Sequence, residues 1–220
     1  MIQVEDLSVR VGTFSLEGIS FRVETGRYAV LMGKTGCGKT TLIECICGLR
    51  RASGGRILLD DQDVTTLKPA ERGIGFVPQD TALFMTMTVR EHLAFALAIR
   101  NASRKEQASR AEELGRLLAI DHLMDRRPEG LSGGEAKRVA LGRALCANPR
   151  ILCLDEPLAA LDHDTRAEMC VVLDAARKEF GITTLHITHS LDEAVQLADV
   201  ILLFEDGRIV TTPQGVSAAP

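Results

Sequence analysis

Gly33-Lys34-Thr35-Gly36-Cys37-Gly38-Lys39-Thr40 lies between an apolar run, Arg27-Tyr28-Ala29-Val30-Leu31-Met32, and a segment from Lys39 to Gly48 that reads as a helix. The order of strand, glycine-rich turn and helix sets the fold, because it fits G-x-x-x-x-G-K-[ST] in the context that pattern requires. Glycines let backbone N–H groups turn inward around phosphate oxygens, and the following helix presents its positive end to them. In such a loop Lys39 reaches the β- and γ-phosphates of a nucleoside triphosphate and the Thr40 hydroxyl ligates Mg²⁺. Thr41 reads as a helix residue close to the phosphates.

A metal on a triphosphate also needs a carboxylate. Ile151-Leu152-Cys153-Leu154-Asp155-Glu156 is an apolar strand that ends in two of them. At the C-terminal edge of a parallel strand both face the crevice where α/β sheets bind ligands. Asp155 is the candidate to hold Mg²⁺, and Glu156 to polarise an attacking water.

Other segments extend the α/β reading. Thr183-Thr184-Leu185-His186-Ile187 is a short apolar run of the kind found in central parallel strands. Gln3–Val11 and Ser15–Val23 alternate as antiparallel strands do, with Gly12-Thr13 as the turn. From about Val89 to Leu145 helical periodicity replaces strand patterns. Ser103 with Glu106, and Ser132 opening a helix after Pro128-Glu129-Gly130, mark helix starts there. These segments predict an α/β core interrupted by a helical insertion, with a loose tail after Arg208.

Composition narrows the class. The 220 residues carry a net charge of −4, are 45% hydrophobic and 25% charged, and so suit a globular domain rather than a nucleic-acid binder. No stretch free of charged residues approaches the roughly 18 residues needed to span a bilayer. The N-terminus, Met1 to Asp6, is acidic and lacks the apolar segment of a signal peptide. The six cysteines lack paired spacing, and most lie in apolar runs as core residues. Cys37 is the exception, inside the glycine-rich loop.

At Leu131-Ser132-Gly133-Gly134-Glu135 the sequence resembles the ABC-type ATPases, and the resemblance runs along essentially the whole chain. It implies a P-loop NTPase (RecA-like) core with an antiparallel β subdomain and a helical insertion. The implied division is 1–85 and 149–220 for the core and 86–148 for the helical part, all within a single domain, 1–220. In the family, Ser132, Gly133, Gly134 and Glu135 meet the γ-phosphate held by the opposite subunit. The resemblance thus implies a homodimer with two ATP molecules between its copies. Gln79 matches the glutamine that senses Mg²⁺, Leu161-Asp162 the loop that communicates across the dimer, and His189 the switch histidine at the γ-phosphate. His92, His122, His163 and His186 match no family position and read as surface or packing residues.

The sequence departs from the family pattern at four places. Glu135 stands where glutamine is usual, Lys34 where proline is common, and Ser190 where aspartate often follows the histidine. The aromatic residue that stacks on adenine falls near Val11, which cannot stack; Phe14 is the substitute.

Arg72 to Asp80 and Ala82-Leu83-Phe84 look like importer ATPases, most of all those of the molybdate/tungstate group, with sulfate, thiamine and sugar importers behind them. The resemblance implies a subunit on the cytoplasmic face of the membrane, docked on permease subunits that work with an extracytoplasmic binding protein. Phe84, Met85 and Met87 would line the groove for a permease helix, and no nucleic-acid partner is expected. An ABC ATPase of a lipid-extraction or cell-envelope signalling complex is the alternative. Many importer ATPases continue into a regulatory domain, and none is expected after Gly207-Arg208-Ile209-Val210.

Overall fold

The computed structural model describes residues 1–205 and 207–213. Two long strands, β1 (Ile2–Val11) and β2 (Phe14–Val23), pair antiparallel around the Gly12-Thr13 turn, with Val11 opposite Phe14. β3 (Tyr28–Gly33) runs into the glycine-rich loop and then α1 (Lys39–Cys47). β4 (Gly54–Leu59) and β5 (Gln62–Asp63) follow, then a 3₁₀ turn at Pro69–Glu71 and β6 (Ile74–Val77). Helices α2 (Val89–Ile99), α3 (Arg104–Leu117) and α4 (Gly133–Leu145) lie between β6 and β7 (Ile151–Asp155). α5 (His163–Phe180), β8 (Thr183–Ile187), α6 (Leu191–Leu197), β9 (Val200–Glu205) and β10 (Arg208–Pro213) complete the order. The tail was expected to be loose after Arg208; instead Arg208–Pro213 pairs antiparallel with β9. The rest of that expectation, 214–220, lies outside the described residues.

The strands form two sheets. One is antiparallel, in the order β2-β1-β4-β5; the other runs β10-β9-β3-β8-β7-β6, with every neighbouring pair parallel except β10 with β9. Strands β3, β7 and β8 are almost wholly buried; β3 and β7 are largely apolar, whereas β8 buries Thr183, Thr184 and His186 as well. Alternate residues feed two cores. Ala29, Leu31, Ile151 and Cys153 pack with α1 and the antiparallel sheet, whereas Tyr28, Val30, Leu152 and Leu154 pack with the helices on the other face. Five of the six cysteines are buried in these cores; Cys37 is half-buried.

Register places the functional ends together. Ile187 is opposite both Leu31 and Asp155, and Val77 is opposite Leu154. The C-terminal ends of β3, β8, β7 and β6 are therefore adjacent and nearly level. They lead into the glycine-rich loop, His189, Glu156 and Gln79 respectively.

The far end of α1 is held by a buried cation. Arg72 donates Nη1 to Cys45 O and Ile46 O (both 2.9 Å), Nε to Leu67 O (3.0 Å) and Nη2 to Thr65 O (3.0 Å). It bonds carbonyls of the last turn of α1, of which Cys45 O also accepts from Gly48 N–H (3.1 Å), and complements the helix dipole there. Arg72→Met keeps the stem and removes these charge-assisted bonds. It should destabilise the domain by about 1.5–3 kcal/mol in urea unfolding; an unchanged midpoint would refute this role for Arg72.

Candidate functional site

α1 begins differently from the other helices. Thr88, Ser103, Ser132, Asp162 and Ser190 each cap a helix by accepting a hydrogen bond from the backbone N–H three residues on. α1 starts at Gly38 with no side-chain cap and no acidic residue in its first turn. Its free N–H groups and positive end remain available to an anion. Gly38 has φ 105°, and a Cβ there would lie 2.7 Å from Phe14 Cζ, so both backbone shape and space demand glycine.

A cavity of about 570 Å³ opens at this point, lined by Val11, Phe14, Thr35, Gly36, Gly38, Lys39, Thr40, Thr41, Gln79, Glu156 and His189. Residues from four strand ends and from the β1–β2 hairpin thus share one space. Gly33, Lys34 and Cys37 line a neighbouring cavity on the far side of the loop, which Phe14 also borders. Lys39 is buried and folds back on its own loop, donating Nζ to Gly33 O (2.9 Å) and Lys34 O (3.0 Å).

Asp155 lies at the base of the site. It is buried, bonded to the Thr40 side chain, and burial pushes its carboxyl above the usual carboxylate range. Its Oδ1 is buried without a hydrogen-bond partner. A carboxylate oxygen in that condition beside a threonine hydroxyl and a phosphate loop suits Mg²⁺, which takes one or two carboxylates and fills its remaining positions with phosphate and water. The residues present fit the ion.

Glu156 turns out of the strand with φ 47°, a left-handed conformation a non-glycine residue rarely adopts. Its N–H bonds to Ile187 O (3.0 Å), and its Oε1 lies 2.6 Å from His189 Nε2. The carboxylate and the imidazole are thus in contact over the phosphate loop. Val11 and Phe14 reach the cavity from the hairpin, with Phe14 under Gly38, and no tyrosine or tryptophan lines it.

Ser132, Gly133, Gly134 and Glu135 do not line this cavity. They form the start of α4 as a capping box: Glu135 N–H donates to Ser132 Oγ (3.3 Å) and Ser132 N–H to Glu135 Oε2 (2.6 Å). Either glutamate or glutamine closes such a box, which accounts for Glu135 at a position where glutamine is usual. Ser190 has a similar explanation, since it caps α6. A Cβ on Gly134 would lie 2.6 Å from Thr165 Cγ2, so the starts of α4 and α5 touch. Asp162 caps α5, accepting from Thr165 N (3.0 Å) and Thr165 Oγ1 (2.7 Å).

Two residues tie the helical insertion to the segment from Gln79 to Ala82 and were not legible in the sequence. Lys137 donates Nζ to Gln79 O (2.9 Å), and Arg143 bonds to Ala82 O (2.6 Å) and Thr81 O (3.3 Å). Both project from α4, which also carries Glu135 and Arg138, so their cationic character did not set them apart in the sequence. His92 and His186, read as packing residues, are buried; the His92 ring accepts from Phe84 N–H (2.9 Å).

A family model described as ABC transporter matches residues 16–159. The chain belongs to the ABC transporter family. It is 46% identical over 202 residues to a molybdate/tungstate import ATP-binding protein of Archaeoglobus fulgidus, covering 91% of this chain and 82% of that one. It is 42% identical over 210 residues to the protein of that name from Thermococcus kodakarensis, covering 96% and 64%. A sulfate/thiosulfate import ATP-binding protein of Bordetella parapertussis is 41% identical over 226 residues, covering 100% and 64%. This cassette spans 61–64% of the length of the first three relatives it matches. Among solved structures, a dimeric ATP-binding cassette in a post-hydrolysis state with ADP and phosphate matches with a TM-score of 0.86 at 26% identity, covering 98% and 100%. A nucleotide-free ATP-binding cassette matches with a TM-score of 0.87 at 28% identity, covering 97% and 91%. The expected fold, a P-loop NTPase with mixed α/β layers, is therefore the fold observed.

Proposed function

We propose that this cassette is the ATP-hydrolysing subunit of a membrane importer for a small oxyanion of the molybdate/tungstate class, and that two copies enclose two ATP molecules. The observation that carries the reading is the Glu156–His189 contact above an uncapped helix N-terminus, with Asp155 and Thr40 beneath it. The import role is supported by relatives whose printed names are molybdate/tungstate and sulfate/thiosulfate import ATP-binding proteins.

Catalysis of phosphoryl transfer is mostly positioning and charge neutralisation. Lys39 exchanges the carbonyls of Gly33 and Lys34 for phosphate oxygens, and the N–H groups at the start of α1 surround the same anion. Val11 and Phe14 give the base apolar contact, while Thr35, Gly36 and Thr41 line the triphosphate and Cys37 stays on the far side of the loop. Thr40 and Asp155, with Gln79, would hold Mg²⁺, which when bound would supply positive charge against the triphosphate. Glu156 accepts the proton of the attacking water, and His189 orients the γ-phosphate and steadies the carboxylate.

On this reading 86–148 is a helical subdomain that moves against a core of 1–85 and 149–220. Ser132–Glu135 do not line their own chain's cavity, which supports their serving the partner copy, with Asp162 at the neighbouring start of α5. Lys137 and Arg143 carry the state of Gln79 into α4. Phe84 and Met85 are 42% and 50% exposed, and Phe84 is backed by the rings of His92 and Phe95. They and Met87 offer an adaptable apolar surface to a permease helix. Among the described residues no helix is long and apolar enough to cross a membrane, so the cassette reaches the membrane through that permease, which works with an extracytoplasmic binding protein.

Two measurements test the reading. Glu156→Gln should lower kcat for ATP hydrolysis by about 10²–10⁴ while nucleotide affinity is kept; hydrolysis at the parental rate would remove Glu156 from the chemistry. Purified in mild detergent from native membranes, the subunit should bring a multi-span permease. Recovery of soluble or nucleic-acid-bound partners alone would contradict import.

A further inference from the structure

Behind the Glu156–His189 contact lies a cluster of polar groups for which the chemistry above has no use. Glu193 projects from α6 with its side chain only 6% exposed. Its two oxygens face two different nitrogens without bonding to either. Oε1 stands 3.6 Å from Arg166 Nε, and Oε2 stands 3.5 Å from His186 Nε2. Both of those nitrogens are buried without a hydrogen-bond partner. Complete burial holds His186 neutral, with its pKa lowered to about 3, so the charged partner of Glu193 is Arg166.

Each member of this pair grips a functional segment. Arg166 sits one turn into α5 and donates Nη2 to Leu161 O (2.8 Å), bracing the Leu161-Asp162 loop. The Glu193 carboxylate bonds to the Thr188 hydroxyl, and the Glu193 N–H bonds to Ser190 Oγ (3.3 Å). Ser190 N–H in turn bonds to Thr188 Oγ1 (3.1 Å), so the residues on either side of His189 are fixed from α6. A cavity of about 310 Å³ is lined by Arg166 and Glu193 together with Glu156, Thr188, His189 and Ser190.

A buried carboxylate is expensive unless well bonded, and an ion pair held just outside bonding distance recovers little of that cost. Such a pair is poorly arranged for static stability. It is well arranged to respond to movement, because a shift of a few tenths of an ångström between α5 and α6 makes or breaks it. We propose that Arg166 and Glu193 are positioning residues that couple the Leu161-Asp162 loop to His189, the pair tightening when the loop is engaged by a partner copy. The inference rests on the reading above that His189 and Glu156 act at the γ-phosphate and that the loop faces the partner. Arg166 and Glu193 do not line the cavity at the phosphate loop; they act through His189, which does.

The test compares Arg166→Ala, Glu193→Gln and the double variant in steady-state hydrolysis, nucleotide binding and thermal unfolding. Glu193→Gln retains size and polarity, so it decides the matter even where Arg166→Ala unfolds. Each single variant should lose about three- to thirtyfold in kcat, with KM for ATP and nucleotide affinity within about twofold. The double variant should lose no more than the worse single, as members of one coupled pair do. Parental kcat in Glu193→Gln, or losses that multiply in the double variant, would overturn the proposal. Glu156→Gln run alongside separates the two levels. If it too hydrolyses normally, the site reading falls; if it is silent while Glu193→Gln is not, only the coupling falls.

Discussion

The N-terminus of α1 carries N–H groups with no intrahelical acceptor, and the rest of the molecule is arranged to keep that end open and fixed in place. Its first residues have no side-chain cap and no acidic neighbour in the first turn, while Arg72 satisfies carbonyls at the opposite end. A cation at the C-terminus and an anion at the N-terminus are the two charges a helix dipole favours. The protein supplies the first, and under the proposed function the nucleotide supplies the second. The antiparallel sheet contributes Phe14 beneath Gly38, and the parallel sheet brings Asp155, Glu156, Gln79 and His189 to the same edge.

The same logic explains the division of labour between segments. Lys39 and Asp155 are buried, as groups that must neutralise charge should be, while Thr40 beside Asp155 is exposed. Glu156 and His189 remain partly exposed, at 22% and 41%, and are held by the strained turn after β7 and the loop before α6. The capped start of α4 lies outside this cavity and against the start of α5, where Gly134 meets Thr165, the residue bonded to Asp162. A chain in which Ser132–Glu135 do not line the cavity at the phosphate loop fits the proposed assembly in which each copy completes the other.

Much of this was legible because it is local chemistry. The phosphate loop, the Asp155-Glu156 strand end, and the caps at Ser103 and Ser132 are each written in fewer than ten consecutive residues, and periodicity located the hairpin and the helical stretch. The illegible parts are long-range. Lys137 reaches Gln79 across 58 positions, Arg143 reaches Ala82 across 61, and Arg72 reaches Cys45 across 27; nothing in the neighbouring residues announces those acceptors. In the sequence His186 reads as a surface or packing residue, and nothing singles out Glu193. Only the packing of α6 on the sheet reveals that they are buried together. The tail was misread because β10 is held by pairing with β9 rather than by any strong pattern of its own.

Sharing of each hydrolytic site between two copies can be tested by mixing two inactive chains. One carries Lys39→Ala, which disables its phosphate loop, and the other Ser132→Arg, which disables its signature segment. A mixed dimer holds one site with an intact loop facing an intact signature. Single-turnover hydrolysis should therefore return on mixing two chains that are each silent alone. A mixture as inactive as its components would show that each chain's site stands by itself, and would contradict the shared site.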